Sequence, residues 1–577
     1  MQRQSLQRIG YIMLFFLLAI SCTLLDIHMI HDSRIMMKWF GCCGVILLLA
    51  FLQVYVLPKQ RIHVRIVDLA VVIFLLYILG ADYFRNELSE PVILRMVCLG
   101  LMYLVFRQSI EKSSFDICMG ILFAIGFALA IWGIAQFVIA VLHHQPLHTA
   151  VTASFDNPAG YALVLSLTFA IGIYLLTITN LHRWQCNMVY VAMAVIVIAL
   201  ILSCSRTGWL SALCVSVNAY CSYGKRSRRR WVLSLLVVVV LFAFFYFVKQ
   251  DSADGRSYIA ICTSQQIADA PWLGHGRYGF SRAYMDYQAA YLDAHPDSRF
   301  AWLADNTHHP FNEWLHLAVR YGLIGVLLVV IVLLSLGSAL RHCIKLGYSP
   351  LLGILIALFP FTLFSYPMQY PLAWVMLIMV IAFLAKYSRC LYTASYSMAV
   401  PLTLLLCVCT AVPLLYRTVR AEVVWYDVAM RSLSGQTRYV MPRYEELYTH
   451  LRHSPHFLYN YAAELNYIGE YHRSQQVLSR CMKRMNDYDT HLLAASNHEH
   501  MGNYGLAEAH LRKASAMCPV RFVPLYQLAK LYGKMGRFED QRRMAQQIMD
   551  KEVKVASSRI TEMKDEMRYI LEKTDFK

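Results

Sequence analysis

Two histidines, His308 and His309, stand before Pro310 in the run Asn306, Thr307, His308, His309, Pro310, Phe311, Asn312, Glu313, Trp314, which closes the longest polar segment between apolar runs. Imidazole is the side chain that exchanges a proton near neutral pH, the property a general base needs. Pro310 suits a first helical position, because its fixed φ fits there and its missing N–H would have had no partner. This predicts a helix N-terminus directly after His308 and His309, a place that attracts anions and disfavours protonated imidazole. Three arginines are candidates to hold such an anion: Arg206, Arg256 and Arg277. Guanidinium grips phosphate oxygens with two hydrogen bonds and keeps its charge at any physiological pH. Arg206 lies in Ser203, Cys204, Ser205, Arg206, Thr207, Gly208, Trp209, between two apolar runs, and reads either as an interface residue snorkelling beside Trp209 or as an anion clamp. Arg256, in Asp254, Gly255, Arg256, Ser257, Tyr258, and Arg277, in the glycine-rich run Pro271 to Phe280, read alone as parts of a solvated loop. No DxD-type carboxylate pair stands beside these residues, so the chemistry calls for no metal, and no cofactor is expected.

The elements that must carry these groups are set by composition. The chain of 577 residues is 58% hydrophobic and only 15% charged, which excludes a soluble fold for its first three quarters. Apolar runs of spanning length are read near 9–29, 36–57, 66–82, 91–107, 115–141, 159–178, 188–203, 208–222, 231–248, 313–340, 350–366, 371–388 and 398–416, about thirteen in all. The expected class is therefore all-α, a polytopic transmembrane bundle followed by a soluble helical domain. Lys and Arg collect in alternate loops, including Lys225 to Arg230. By the positive-inside rule this places the N-terminus in the cytoplasm, and the long 249–312 loop and everything after Tyr416 outside. The N-terminal run, with Arg3 and Arg8 before it, reads as a signal anchor. The net charge of +17 then reports topology and contact with anionic membrane lipids, and nucleic acid is not expected as a partner.

The tail, residues 417–577, is amphipathic and repeats around Gly469, Gly502 and Gly536, with Ala462, Ala495 and Ala529 each seven places earlier. That period is the tetratricopeptide one, and such an array is expected to dock a protein partner. The cysteines show no metal-ligand spacing outside the membrane and read as packing residues.

Taken in order, Phe155 to Pro158, Ser205 to Thr207, Gly255 with Arg256, Pro271 to Phe280, and His309 to Gly325 resemble the O-antigen ligase and O-oligosaccharyltransferase family of bacterial envelope enzymes, over roughly residues 110–390. The resemblance implies a multi-span glycosyltransferase domain over 1–416 in the inner membrane. It implies a metal-independent transfer of glycan from a polyprenyl diphosphate carrier to an acceptor hydroxyl outside that membrane, with lipid A core or an exported protein as acceptor. Family members that modify proteins can carry a periplasmic helical-repeat domain. In the family pattern a His stands directly before the Asn of this motif, whereas here that position is Phe311, so His309 is the first candidate for the base and His308 the second, with Asn312 beside them. Arg320 occupies the place of an acidic residue and either adds to an anion site or snorkels. The departing diphosphate gathers negative charge that Arg206, Arg256 and Arg277 would stabilise, and direct attack implies inversion. A polymerase using the same donor is the near alternative. A transporter should carry ionisable groups at mid-membrane, whereas these spans are poor in charge and their polar residues collect at one face, and a scaffold would not need thirteen spans.

Overall fold

The computed structural model describes residues 2–56, 62–146, 151–223, 250–346, 350–394 and 399–574. The expected ninth span, 231–248, and the basic run Lys225 to Arg230 lie outside the described residues. Among the described residues the chain is helical almost throughout, with one short antiparallel ribbon, Ile62–Arg65 against Cys390–Ala394, that alternation in the sequence had not suggested. Among the described residues, eight helices are long and apolar enough to cross a membrane, and three shorter apolar helices accompany them. Helix Arg206–Tyr223 falls in neither group, since Ser211, Ser216 and Asn218 dilute its apolar content.

The chain divides into two compact units: Met1–Val248 with Phe311–Trp314 and Ile324–Tyr426, and Lys249–Pro310 with Leu315–Leu323 and Asp427–Lys577. In the first unit the helices approach closely through small residues. A Cβ on Gly126 or Gly133 of helix Lys112–Leu142 would collide with Thr168 or Tyr161 of helix Pro158–Ile178, so their absence is what allows this close packing in a medium that supplies no hydrophobic drive between helices.

In the second unit the segment expected to be a polar loop is instead largely helical, as Gln250–Asp269 and Gly279–Ala294. These helices present an apolar side, with Tyr258, Cys262, Phe280, Tyr284 and Ala289 buried. The tail supplies what covers it. Gln288 Nε2 donates to the Met517 carbonyl (2.7 Å), Ser281 Oγ to the Arg484 carbonyl (2.7 Å), and Lys513 pairs with Asp286 (2.7 Å). The tail itself runs as successive helices from Thr437–Leu451 to Ser558–Thr574. Gly469, Gly502 and Gly536 turn it at φ of 90°, 76° and 71°, a left-handed conformation that suits glycine. Ala462, Ala495, Ala507, Ala514 and Ala529 are buried where the helices meet.

Candidate functional site

The helix that follows the histidines does not begin at Pro310. It runs Glu313–Lys345, with Asn312 Oδ1 accepting from the Trp314 N–H (2.9 Å) and Phe311 held in left-handed backbone at φ 51°. A left-handed non-glycine costs about 1–2 kcal/mol. It is held by its surroundings in the first unit: the Phe311 ring lies 5.6 Å from Tyr366, Glu313 Oε1 accepts from the Met368 N–H (3.0 Å), and Trp314 Nε1 donates to Thr362 Oγ1 (3.2 Å). Asn312 therefore acts as a helix cap.

The same helix is broken at Gly322, φ 67° and ψ −173°, so its first nine residues form a separate segment ahead of the apolar run. The break is locked by the 271–276 turn. Leu323 N–H donates to the Pro271 carbonyl (2.7 Å), His275 N–H to Val319 (2.6 Å) and Gly276 N–H to Arg320 (3.0 Å). A Cβ on Gly322 would strike the Trp272 carbonyl, and one on Gly274 (φ 67°) would come within 2.6 Å of the Gly322 nitrogen. The glycine-rich run is thus a built turn, and Arg277, which follows it, is half-buried. The other glycine-flanked arginine is corrected too: Gly255 and Arg256 lie within helix Gln250–Asp269, where no open phosphate loop forms.

His309 sits in the second unit with its ring 6.4 Å from that of His316. Burial, then the nearby His316, Arg320, His308 and His456, lower its pKa to about 3. Burial first, and then the surrounding cationic and imidazole groups, hold it toward its neutral form, an effect the sequence reading had assigned to a helix terminus. His308 is exposed, with Nδ1 4.0 Å from Asp487 Oδ2. Asp487 is buried and caps helix Tyr488–His500, accepting from the Thr490 N–H (3.0 Å). The histidine loop is tied down just ahead of His308. Asn306 Nδ2 donates to Asp489 (3.0 Å), and Arg521 holds Asp305 through Nη2 at 2.7 Å and Nε at 3.1 Å. His456, at the start of helix Pro455–Tyr467, is held toward its neutral form by burial and by His308, against Asp487. Sequence reasoning did not select His316, His456, Asp487 or Asp489. The Ser454–Pro455 helix start was readable in pattern, but the meeting of residues so far apart in the chain was not.

Arg206 and Asn312 belong to the first unit. Cys204 reverses the chain at φ 52°, and Ser205 Oγ accepts from the Gly208 N–H (3.4 Å), so Arg206 opens a helix. Trp209 Nε1 donates back to the Leu200 carbonyl (2.9 Å), bracing the turn. Elsewhere in this unit Asp156 and Asn157 are gripped by tyrosines: Tyr370 donates to Asp156 (2.7 Å), and Asn157 Nδ2 donates to Tyr366 (2.8 Å) and Tyr370 (2.9 Å). Lys38, fully buried, donates to the Ser154 and Arg34 carbonyls at 2.6 and 2.7 Å. A lone lysine in an apolar run carries no sequence signal for that role.

Every arginine and histidine read from the sequence as a candidate for the site falls in one stretch of the chain. Residues 191–330 match the O-antigen ligase family model. No curated protein matches the chain. The O-antigen ligase match takes in Arg206, Arg256, Arg277, His308, His309 and Asn312, and it implies ligase- or polymerase-type glycosyl transfer. With the apolar helices, it fits a protein of the bacterial inner membrane. His456, Asp487 and Asp489 lie beyond the matched stretch, in the tail.

Proposed function

We propose that this protein transfers a glycan from a polyprenyl diphosphate-linked donor to an acceptor hydroxyl at the outer face of the inner membrane, by direct inverting attack without a metal. The observation that carries this reading is the half-buried His309, held toward its neutral form, inside the O-antigen ligase match. In the neutral ring a nitrogen lone pair can take the acceptor's proton, and a pKa this low makes it a weaker base than a near-neutral imidazole. Arg206, Arg256 and Arg277 are the residues assigned to the diphosphate, where charge accumulates as the sugar departs. His308 is the second base candidate. Its pairing with Asp487 resembles the carboxylate–imidazole arrangement that fixes a ring's tautomer and orientation.

The domain reading is a membrane glycosyltransferase part over 1–416 and a periplasmic tetratricopeptide-like array over 417–577. What supports the array is the set of left-handed turn glycines with small residues buried between helices. Its presence favours an exported protein as acceptor or partner over lipid A core. A polymerase acting on the same donor is the second reading, since the match covers that chemistry as well. Transfer by purified protein in nanodiscs tests the proposal: Arg206→Ala with Arg256→Ala should abolish it, and a normal rate would overturn it. Analysis of envelope polysaccharide in a deletion strain separates the two readings. Lost attachment with intact long chains marks a ligase, and lost chain length marks a polymerase.

A further inference from the structure

Three stretches of chain meet within the first unit: 154–157, Phe311–Trp314 and 366–370. Their side chains converge on Asn157. Its Nδ2 donates to Asp156 Oδ2 (2.8 Å), to Tyr366 (2.8 Å) and to Tyr370 (2.9 Å), so a carboxylate oxygen and two phenol oxygens lie within two hydrogen-bond lengths of one another. Asn157 Oδ1 accepts from the Gly160 N–H (2.8 Å), which caps helix Pro158–Ile178 and fixes the amide's orientation. Behind it the turn is clamped through its backbone, Lys38 donating to the Ser154 carbonyl (2.6 Å) and Arg34 to the Phe155 carbonyl (3.2 Å). Asp156 itself is exposed. A carboxylate has about four acceptor positions; among the described residues, the Tyr370 hydroxyl (2.7 Å) takes one and Asn157 another. The group is thus held rigid with acceptor capacity turned to the outside. Beside it stand two half-buried aromatic rings, Phe311 and Tyr366, 5.6 Å apart. Phe311 keeps that place in left-handed backbone (φ 51°), and strain of this kind collects where ligands are gripped.

We propose that Asp156, Asn157, Tyr366 and Phe311 form a subsite for a sugar ring, in which Asp156 accepts hydrogen bonds from ring hydroxyls and the two aromatic side chains pack on the ring's apolar face. The chemistry matches part by part. Hydroxyls donate well to a fixed carboxylate, and the slightly positive C–H groups of a sugar settle against the negative face of an aromatic ring. A few placed polar groups beside aromatic surface are what orient such a ligand, and because they are already ordered, little is lost in ordering them on binding. The same carboxylate repels a diphosphate, so this subsite reads the sugar and leaves the phosphates to other residues. The choice of a glycan as ligand rests on the glycosyl-transfer reading. Donor glycan and a core-sugar acceptor share this chemistry, and the two probes below tell them apart.

The test reads binding rather than catalysis, by saturation-transfer NMR on full-length protein in nanodiscs. One probe is the lipid-free oligosaccharide released by mild acid from the host's polyprenyl-linked pool, and the other is core oligosaccharide released from its lipid A. Ring C–H protons of a bound probe should receive saturation from the wild type and none from empty nanodiscs; a response to the first probe assigns the subsite to the donor, and a response to the second assigns it to the acceptor. Asp156→Asn keeps an acceptor for Tyr370 and drops the charge, so Kd should rise about tenfold or more. Phe311→Gly removes the ring while relieving the left-handed backbone, so the fold should hold and the ring-proton signal should vanish. That variant decides the matter if Asp156→Asn fails to fold. A signal unchanged in both variants, or none from either probe in a preparation that transfers glycan, would overturn the subsite and leave the transfer reading intact. Binding that both variants lose, in a wild type that transfers nothing, would count against the transfer reading alone.

Discussion

If His309 is the base, its protonation sets how transfer responds to acid. With a pKa of about 3, only about one molecule in a hundred carries the proton at about pH 5, whereas an ordinary imidazole near 6.5 would be protonated in all but about one in thirty. Transfer in nanodiscs should therefore stay within about twofold between about pH 8 and 5 as far as this group is concerned. Stability must follow the same linkage. The folded-state pKa is depressed and the unfolded chain takes up the proton below about 6.5, so the contribution is complete above that value and is lost as pH falls from about 6.5 toward 3. The full difference corresponds to about 5 kcal/mol at about 1.4 kcal/mol per pH unit, and solvent screening of a partly exposed ring reduces it to roughly 2–4 kcal/mol. His309→Gln keeps a polar side chain of similar reach and cannot titrate, so its thermal unfolding should flatten over that window relative to wild type. NMR of ring-labelled protein follows the site directly. A break in the rate profile near pH 6.5 that disappears in His309→Gln, or a ring that titrates at its ordinary value, would refute the enclosure argument.

Gly322→Ala must adopt a left-handed φ, at about 1–2 kcal/mol, and also strike the Trp272 carbonyl; unfolding temperature should drop and transfer fall at least tenfold, and an unchanged protein would show that the helix is not broken there. Asp487→Asn keeps a good helix cap, since Asn and Asp are equivalent in that role, while removing the charge facing His308. Thermal stability should change by less than about 1 kcal/mol, whereas kcat should fall with KM held and the pH profile should shift; Asp487→Ala, which loses the cap as well, should lower both stability and rate. Should Asp487→Asn leave both the rate and the pH profile unchanged, the His308 pairing has no part in the reaction.

Much of this architecture was legible because it rests on short-range rules. Residues near Gly469, Gly502 and Gly536 repeat at a helical-hairpin period, and the structure turns at each of them. Apolar length marked the helices in the same way, though the two-residue-period ribbon at Ile62–Arg65 was too short to register. What failed did so where tertiary contacts outvoted local preference. Pro310 favours a helix start, yet Asn312 caps the helix and Phe311 takes the strained turn because the Tyr366, Met368 and Thr362 contacts hold it. The stretch after Gln250 reads as polar loop because its apolar face is narrow and Gly255 interrupts it; the tail's helices complete the core it lacks. His456 and Asp487 were invisible for a plainer reason, since no periodicity links residues brought together only by folding.

That last feature bears on how the protein comes to life in the cell. His308 and His309 are synthesised well before Asp487, Asp489 and Arg521, and the loop gains its tethers only when the tail arrives. On the proposed topology and donor, a nascent chain would thus be inserted and still idle until its C-terminus is completed and exported, and truncated products would occupy the membrane without drawing on the carrier pool.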